Sequence, residues 1–292
     1  MAELTKLPRL SRRGFIKLAW NALLGGTAMG LGGAFYVTKV EPGWVQTTTQ
    51  VLTLPRLQPA FNGYRLVQIS DLHLETWMDA ERLLDLVERV NQLEADLVVI
   101  TGDFVTAIFE NTVADLLASL SKLEARDGVV AVLGNHDHWT NANTIRSVLA
   151  ASGIVELPNQ VHTLRRGSAE LHLAGVDDYM EDLARLPEVL AQLPPQGAAI
   201  LLVHEPDFAD ISAASGRFDL QLSGHSHGGQ VVIPFYGPPI LPEFAKKYAL
   251  GLYQVGAMQL YVNRGVGMIF PAVRFNCRPE ISVITLQSGQ AA

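Results

Sequence analysis

The sequence contains a single cysteine, Cys277, among its 292 residues. One thiol cannot form a disulfide within the chain, and it cannot supply the several thiolates of an all-cysteine metal site. Cys277 is therefore expected to be a small packed residue near the last strand. Any metal site in this chain has to use histidine, carboxylate and amide ligands.

The chain also lacks a basic surface outside its first residues. The formal net charge is −7. Residues 1–17 have a charge of +4, from five basic residues and one acidic residue: Lys6, Arg9, Arg12, Arg13, Lys17 and Glu3. The rest of the chain therefore carries the difference, −11. An acidic body without a basic stripe argues against a nucleic-acid groove, so no nucleic acid is expected as a partner.

No repeat, low-complexity segment or compositional break interrupts residues 60–290. A chain of 292 residues with 48% hydrophobic content is long enough for one sizeable domain and an appendage. We therefore expect one domain over 62–290, an N-terminal segment over 1–38 and a linker over 39–61. An edge strand within 45–54 is the alternative for part of that linker.

The N-terminal segment has a basic start and a long uncharged stretch. Ser-Arg-Arg-Gly-Phe-Ile-Lys at 11–17 precedes 21 uncharged residues at 18–38. The pattern suits either an ordinary membrane helix or, more closely, a twin-arginine export signal read by the twin-arginine export machinery. Both place the domain on the extracytoplasmic side of the cytoplasmic membrane, periplasmic or cell-wall. At about 1.5 Å per residue the stretch can span a core of roughly 30 Å, so an uncleaved anchor is expected, with cleavage at small-residue pairs as the alternative.

Five apolar runs, which are typical of buried strands, each lead into polar loop residues. The runs are 65–70, 96–101, 128–133, 198–203 and 218–222. The residues that follow them are Asp71 and His73, Asp103, Asn135 and His136, His204, and His225 and His227. Loops at strand ends carry the functional groups of open α/β sheets, so these side chains are expected to converge.

Helical patterns alternate with these strands, which predicts a layered α/β fold. Apolar residues recur at helical spacing over 79–93, where Asp79 is the expected N-cap, and over 111–123 and 143–151. A hairpin is predicted from 161–164 to 171–174, and late strands are predicted at 259–263 and 281–286.

Imidazole and carboxylate ligands together suit two divalent metal ions, with Mn, Zn, Fe and Co all acceptable. Two cations about 3.5 to 4 Å apart can clamp a phosphate and activate a water molecule, and they need a shared anionic ligand. Asp103 is the candidate for that bridge. Asp71 and His73 share a face if their segment is extended. His136 is left over, and it is a candidate acid for a leaving oxygen.

These motifs, taken in order, resemble those of the calcineurin-like metallophosphoesterases over about residues 62–290. The resemblance implies a four-layer αββα sandwich of two mixed β-sheets with helices outside. It implies that one metal takes Asp71, His73, Asp103 and His227, and the other takes Asp103, Asn135, His204 and His225. His136 would be the catalytic acid or a transition-state contact. The twin-arginine start and residues 41–44, 227–230 and 276–280 resemble a group of exported bacterial phosphodiesterases within this family.

The resemblance implies a dinuclear metal-dependent hydrolase that cleaves phosphodiester or pyrophosphate bonds by attack of metal-bound hydroxide. Protein phosphatases of the family carry Asp-Arg-Gly after their Gly-Asp motif, whereas residues 104–107 here are Phe-Val-Thr-Ala. A phosphoprotein substrate is therefore disfavoured. The alternatives are a lipid-nucleotide pyrophosphatase of the UDP-diacylglucosamine type and, from another class, a catalytically silent metal-binding scaffold. A membrane anchor would place a lipid-linked substrate within reach.

Several further polar residues are open to two interpretations. Arg264 is either a phosphate contact or a structural arginine, and Asp137 either orients His136 or caps its loop. His138 is a lesser candidate for the pocket. Asp177, Asp178 and Glu205 are expected to be solvated loop charges.

Overall fold

A computed structural model describes residues 11–75 and 77–289 of the chain. The strands are β1 Gln46–Leu54, β2 Tyr64–Ile69, β3 Leu97–Thr101, β4 Val129–Val132, β5 Val155–Glu156, β6 Gln160–Arg166, β7 Ala169–Gly175, β8 Ala198–Leu202, β9 Leu220–Ser223, β10 Gly251–Val255, β11 Met258–Val262 and β12 Glu280–Ser288. The α-helices are α1 Arg12–Phe35, α2 Ala80–Asn91, α3 Thr112–Leu120, α4 Asn135–Thr140, α5 Ala142–Ala151, α6 Leu186–Gln192 and α7 Ala209–Ala214. The predictions for residues 1–10, including Lys6 and Arg9, and for residue 290 lie outside the described residues.

The strands form two six-stranded sheets. The first has the order β1-β12-β2-β3-β4-β5, in which only the β12–β2 pair is antiparallel. The second has the order β10-β11-β9-β8-β7-β6, with antiparallel pairs at its two edges and parallel pairs between them. Neighbouring parallel strands end at the same edge of a sheet, so the loops after β2, β3 and β4 meet, as do those after β8 and β9.

Alternating apolar side chains divide the core into three layers, because successive residues of a strand point to opposite faces. Leu66 packs between the two sheets in the same cluster as Ile200. Its neighbour Val67 packs on the outer face of the first sheet with Leu83 of α2. The outer face of the second sheet is covered in the same way by α6 and α7. The structure therefore confirms the predicted four-layer αββα sandwich.

The amphipathic helices lie close to where the periodicity placed them. The Asp79 side chain accepts a hydrogen bond from Arg82 N and caps α2, whose buried residues include Leu83, Leu86 and Val90. Helices α3 and α5 and the β6–β7 hairpin also confirm their predictions. Helices α4, α6 and α7 were missed, because six or seven residues are too few to show a helical period.

Residues 46–61 belong to the folded domain, so the predicted linker over 39–61 was wrong for most of its length, whereas the alternative of an edge strand within 45–54 is confirmed. Strand β1 pairs in parallel with β12 at the edge of the first sheet. Leu52, Leu54, Leu57 and Phe61 are buried in the core between the sheets. The prolines that suggested a linker lie outside β1, so they do not interrupt its hydrogen bonds.

Helix α1 covers the paired arginines and most of the uncharged stretch, and it exposes large apolar side chains such as Trp20, Leu24 and Met29. No helix in the described part of the chain is both long enough and apolar enough to cross a membrane. The predicted spanning anchor therefore finds no support here.

The chain directly after α1 is fastened to the domain. Buried Glu41 accepts a hydrogen bond of 2.6 Å from Cys277 N, and the Arg278 guanidinium lies 3.4 Å from the centre of the Trp44 ring. Residues 41–44 and 276–280, which are more than 200 positions apart in sequence, therefore form one packed unit. The lone cysteine is a buried small residue, as predicted.

Candidate metal centre

Loops at the ends of five strands converge on one buried pocket. The first sheet contributes the loops after β2, β3 and β4, and the second contributes those after β8 and β9. Seven side chains, each at most 5% exposed, reach it: Asp71, His73, Asp103, Asn135, His204, His225 and His227. The pocket therefore spans the gap between the two sheets, and neither sheet could form it alone.

Five of these residues have a left-handed backbone. Asp71, His73, Asp103, His225 and His227 have φ angles between 47° and 66°. This region is uncommon for residues other than glycine and costs about 1 to 3 kcal/mol at each position. The segment of Asp71 and His73 is therefore not extended, so the condition under which these two side chains would share a face is not met. Sharp turns aim these side chains into the pocket, and the surrounding sheets hold the strained backbone in place.

Asp103 occupies the centre of the pocket. Its Oδ2 lies 3.1 Å from His204 Nε2 and 3.4 Å from His73 Nε2, and its Oδ1 accepts a hydrogen bond from His136 N. Burial opposes ionisation of Asp103, but His204 and His73 outweigh burial and hold its pKa well below the ordinary value. One ionised carboxylate therefore faces histidines from both sheets.

Gly102 makes this approach possible. Its φ is +95°, and a Cβ there would lie 2.5 Å from His204 Nδ1 and 2.8 Å from the backbone nitrogen of Gly134. Any side chain at this position would push the loops after β3, β4 and β8 apart. The glycine in the Gly-Asp motif is thus required by the convergence of the three loops.

The possible ligand atoms fall into two main groups, and a third group, of His73, Asp103 and His136, overlaps both of them. In the first, His227 Nε2 lies 3.3 Å from Asp71 Oδ1 and 3.0 Å from His73 Nε2. In the second, ligand atoms of Asp103, His204 and His225 all lie within 4.8 Å of one another. Asp103 also reaches His73 of the first group. The geometry offers two neighbouring positions for a cation, with Asp103 between them.

Hydrogen bonds at the back of two histidines fix their orientation. His204 Nδ1 donates to Thr101 O at 2.6 Å, and His225 Nε2 donates to Glu243 O at 2.8 Å. The second nitrogen of each ring then faces the pocket, which is how metal-binding histidines are usually held. Asn135 Oδ1 is buried without a hydrogen-bond partner among the described residues, and His204 Nε2 also makes no hydrogen bond there, although it faces Asp103 Oδ2 at 3.1 Å.

Such unpaired buried atoms are costly, and a bound cation would satisfy them. Burial opposes protonation of His204, but Asp103 and Asp71 outweigh it and raise the pKa of His204 well above its ordinary value. The pocket therefore favours positive charge. Its donor set of nitrogen and carboxylate oxygen fits divalent transition metals.

His136 lies beside these residues at the start of α4. Its ring centre is 4.8 Å from the ring centre of His73 and 4.8 Å from that of Trp139. Burial lowers the pKa of His136 to about 4, so the ring is neutral at neutral pH. It presents a polar ring at the mouth of the pocket, where a substrate oxygen would lie.

A cavity of about 230 Å³ opens over the pocket. It is lined by Asp103, Asn135, His136, Trp139, Met180, His225, His227, Pro242 and Ile269. No lysine or arginine is among these lining residues. The charge of a phosphate bound here would therefore have to be offset by bound cations.

Asp137 is a loop clamp. Its carboxylate accepts hydrogen bonds from the backbone nitrogens of Phe104, Val105 and Gly134, at 2.9, 3.3 and 3.0 Å. It makes no hydrogen bond to His136 among the described residues. Of the two interpretations of Asp137, the structure favours the cap, and this cap ties the Asp103 loop to the loop that carries Asn135.

His138 does not line the cavity, because its Nε2 is paired with Asp177 Oδ1 at 2.9 Å. The expectation that Asp177, Asp178 and Glu205 are solvated was wrong, since they are 9%, 1% and 0% exposed. Glu205 accepts hydrogen bonds from the backbone nitrogens of Tyr179 and Met180 and so holds Met180 at the cavity wall. The groups that bind these carboxylates are distant in the sequence, so their burial could not be predicted from it.

Arg264 is a structural arginine. Its Nε donates to Glu280 Oε2 at 2.8 Å, and it lines neither the pocket nor the cavity. Arg274, which sequence analysis missed, is fully buried and donates to Gly267 O at 2.7 Å. Gly267 N in turn donates to Asp71 O at 2.7 Å. Arg274 therefore supports the loop behind Asp71.

Two mixed sheets that carry a buried cluster of histidines and carboxylates on their loops define a metal-dependent hydrolase of the αββα class. The model of the family "Calcineurin-like phosphoesterase" matches residues 64–229. The chain is 36% identical over 286 residues to the uncharacterized metallophosphoesterase YkuE of Bacillus subtilis (strain 168), covering 97% of this chain and 99% of that protein. It is 29% identical over 281 residues to the phosphodiesterase YaeI of Escherichia coli (strain K12), covering 95% and 99%.

The chain therefore belongs to the calcineurin-like phosphoesterase family and is a metal-dependent hydrolase of phosphoric esters. The family resemblance drawn from the short motifs is confirmed, and it extends over nearly the whole chain.

Proposed function

We propose that this chain is a phosphodiesterase whose pocket holds two divalent cations that share Asp103. The observation that carries the proposal is the position of the Asp103 carboxylate between histidines of the two sheets. Bound cations would supply a nucleophile from water near neutral pH and offset the negative charge of the phosphate. Mn, Zn, Fe and Co all suit these ligands.

The two ligand groups give an assignment. One cation would be held by Asp71, His73, Asp103 and His227, and the other would be held by Asp103, Asn135, His204 and His225. In this arrangement His136 stays free of metal and donates a hydrogen bond to a phosphoryl or leaving oxygen. The hydrogen bonds of Asp137 to Phe104 N and Gly134 N hold the loop of Asp103 and the loop of Asn135 in fixed positions while the phosphate binds.

A diester fits the cavity better than a monoester. A phosphomonoester carries more negative charge, and no lysine or arginine lines the cavity to bind it. The side chains of Phe104 and Val105, which follow Asp103, are buried in the core of the first sheet. The printed name of YaeI, a phosphodiesterase, supports the same choice.

The direct test is hydrolysis of bis(p-nitrophenyl) phosphate and p-nitrophenyl phosphate by protein loaded with Mn, Zn, Fe or Co. We expect turnover that a chelator abolishes and a preference for the diester. Equal or greater activity on the monoester would contradict the diesterase assignment. Absence of turnover with all four metals would favour the silent scaffold, and turnover of UDP-diacylglucosamine alone would favour the lipid-nucleotide pyrophosphatase.

We also propose that the chain is exported by the twin-arginine route and acts on the extracytoplasmic side of the membrane. Arg12 and Arg13 are exposed at the start of α1, where a receptor can reach them. Arg274 N donates to Val37 O, so the fastened part of the chain begins after the small-residue pairs at 26–28 and 32–34. Loss of α1 by cleavage would leave these contacts intact.

Cell fractionation tests the export proposal. The double variant Arg12→Lys, Arg13→Lys should stay in the cytoplasm, whereas the wild type and a control with Arg82→Lys and Arg89→Lys on the exposed face of α2 should leave it. Equal distribution of all three proteins would refute export by this route.

A further inference from the structure

A second cavity adjoins the metal pocket. It has a volume of about 300 Å³, and its walls come from three loop segments, 225–231, 239–242 and 269–273. His225, His227, Pro242 and Ile269 line both this cavity and the one over the metal pocket. We call the second cavity the apolar cleft. A ligand whose phosphate lies at the pocket can therefore extend into the cleft without crossing a wall.

Beyond His225 and His227, which also line the cavity over the metal pocket, the cleft offers few partners for a polar group. Its lining includes no lysine, arginine, aspartate or glutamate. The Ser226 hydroxyl accepts a hydrogen bond from Gly228 N, and the Gln230 amide donates to the carbonyls of Ile269 and Pro271. A sugar or a charged group that entered the cleft would lose water without gaining hydrogen bonds. An alkyl chain makes no hydrogen bonds to water, so it would lose none on entering the cleft.

The walls of the cleft are fixed to the loop that carries His227. Gln230 donates to Ile269 O and to Pro271 O, each at 3.1 Å, and accepts from Ile269 N at 2.8 Å. On the other side Gly229 has a φ of +76°, and a Cβ there would collide with Pro238. The cleft is therefore pre-formed, and its position relative to the metal pocket is set by one short loop.

The mouth of the cleft is open and apolar. Phe270 is 95% exposed and Ile240 is 79% exposed, and both also line the cleft. Phe235 and Tyr236, in the chain that leads to Ile240, are exposed as well. Contiguous exposed apolar side chains of this kind are typical of ligand-binding grooves. A chain longer than the cleft can continue past this mouth.

We propose that the apolar cleft binds the alkyl chain of an amphiphilic phosphodiester while its phosphate lies at the metal pocket. The inference depends on the proposed phosphodiesterase function, whose substrate class it specifies. The alkyl chain is identified by the apolar lining of the cleft beyond His225 and His227 and by the continuity of the cleft with the pocket.

A series of p-nitrophenyl alkyl phosphates tests this inference, with methyl, butyl and octyl esters used below their micelle concentration. Hydrolysis adds water across the P–O bond to the nitrophenyl group, releases p-nitrophenolate and leaves the alkyl phosphate. Each methylene buried in the cleft should raise kcat/KM by up to about fourfold. The octyl ester should therefore exceed the methyl ester by 100-fold or more.

Two isoleucines provide a matched pair of variants. Ile240→Gln places a polar side chain in the cleft and should lower the octyl-to-methyl ratio of kcat/KM at least tenfold. Ile211→Gln changes the same residue type on α7, where the side chain is 43% exposed and lies outside the cleft, and should keep the wild-type ratio. Equal ratios in the two variants would overturn the inference.

Binding of octylphosphonate supplies a readout that does not need turnover. Calorimetry on the metal-loaded protein, which cannot hydrolyse a phosphonate, should show tighter binding than for methylphosphonate and a more negative heat-capacity change, because apolar surface is buried. Hydrolysis of the methyl ester without any gain from chain length would overturn the cleft and leave the diesterase intact. Failure of all the esters with every metal would instead remove the proposed function itself.

Vesicles of phosphatidylglycerol show whether the amphiphilic phosphodiester is a membrane lipid or a free molecule in solution. Hydrolysis of vesicle lipid identifies the ligand as a membrane lipid, and hydrolysis of monomeric esters alone identifies it as a free amphiphile. Each of these results supports the cleft if the chain-length dependence is present, and neither supports it if that dependence is missing.

Discussion

The metal pocket and the apolar cleft share His225 and His227 as a boundary, yet they are built in opposite ways. The pocket consists of buried ionisable side chains held at the ends of strands from two sheets. The cleft consists of loops, with exposed apolar side chains and walls held by bonds to backbone carbonyls. The pocket can bind charge, whereas the cleft can select only by shape and polarity. In the proposed function, the pocket carries out catalysis and the cleft determines which substrates are preferred.

The metal pocket and the apolar cleft also differ in how much backbone strain they contain. Left-handed backbone at five residues of the pocket is strained, and a pocket with this strain persists only where the core around it is rigid. The cleft carries less of this strain: of the residues that line the cleft but not the metal pocket, Gln230 is the one non-glycine residue with a positive φ, and its hydrogen bonds hold the 269–271 wall. Substitutions in the pocket should therefore have large effects on the rate of every substrate, and substitutions in the cleft should change only the choice among substrates.

The largest effect is expected for Asp103→Asn, which removes the charge of the proposed shared ligand and keeps its shape. We expect kcat/KM for every diester to fall about 1,000-fold or more, because several kcal/mol of transition-state stabilisation depend on the cations. Asp85→Asn, on the exposed face of α2, is the control and should leave the rate unchanged. A loss smaller than tenfold would contradict a central role for Asp103.

The next effect concerns His136, which lies beside the ligands and is not assigned to a metal. His136→Ala should lower kcat about 100- to 1,000-fold while the metal content stays at the wild-type level. His162→Ala on β6 is the control for loss of an imidazole. If His136→Ala lost metal in proportion to activity, His136 would be a ligand and the assignment would be wrong.

A smaller effect is expected in the cleft. Gln230→Ala removes three hydrogen bonds that hold the 269–271 wall, so the octyl-to-methyl ratio of kcat/KM should fall about five- to tenfold. Gln254→Ala is matched, because the Gln254 amide also donates to two backbone carbonyls but lies on β10. An equal loss of kcat/KM for the octyl and methyl esters would indicate that Gln230 supports the metal pocket and not the cleft.

The smallest effect is on stability and its dependence on pH. Burial opposes ionisation of Glu280, but Arg264 outweighs it and holds the pKa of Glu280 below the ordinary value. Because the pKa of Glu280 is lower in the folded state than in the unfolded state, its ionised form stabilises the folded protein at pH values above the pKa of the unfolded state. This stabilisation is lost as the pH falls through the pKa that Glu280 has in the folded state. Glu280→Gln should therefore cost about 1 to 3 kcal/mol of unfolding free energy at pH 7 and less at pH 4. Urea denaturation measures this, with Glu88→Gln on α2 as the control; a cost that is the same at both pH values would contradict the pairing.

Most of the pocket could be predicted from sequence, because its residues directly follow strands that are recognisable as apolar runs. The end of a strand fixes where a side chain emerges, and parallel strands bring those ends together. The left-handed turns at Asp71 and His73 could not be predicted, since only a small share of residues adopt that backbone even though Asp and His do so more often than most. Only the contacts between loops show that no extended segment fits.

The supporting residues and the cleft were not predictable in the same way. Arg274 and Glu205 act on backbone groups that are distant in sequence, and a backbone partner leaves no pattern of residue types. The cleft residues have neither helical nor strand periodicity. For the same reason the strand β1 was predicted only as the alternative to a linker, because its partner β12 lies at the other end of the chain.

The most direct test of the account is the number of metal ions held by the pocket. Elemental analysis of protein purified from its own host should find about two equivalents of divalent transition metal per chain. The Asp103→Asn variant should hold at most one. A wild type with no bound metal, or a variant that still holds two, would contradict the claim that Asp103 joins two cations in this pocket.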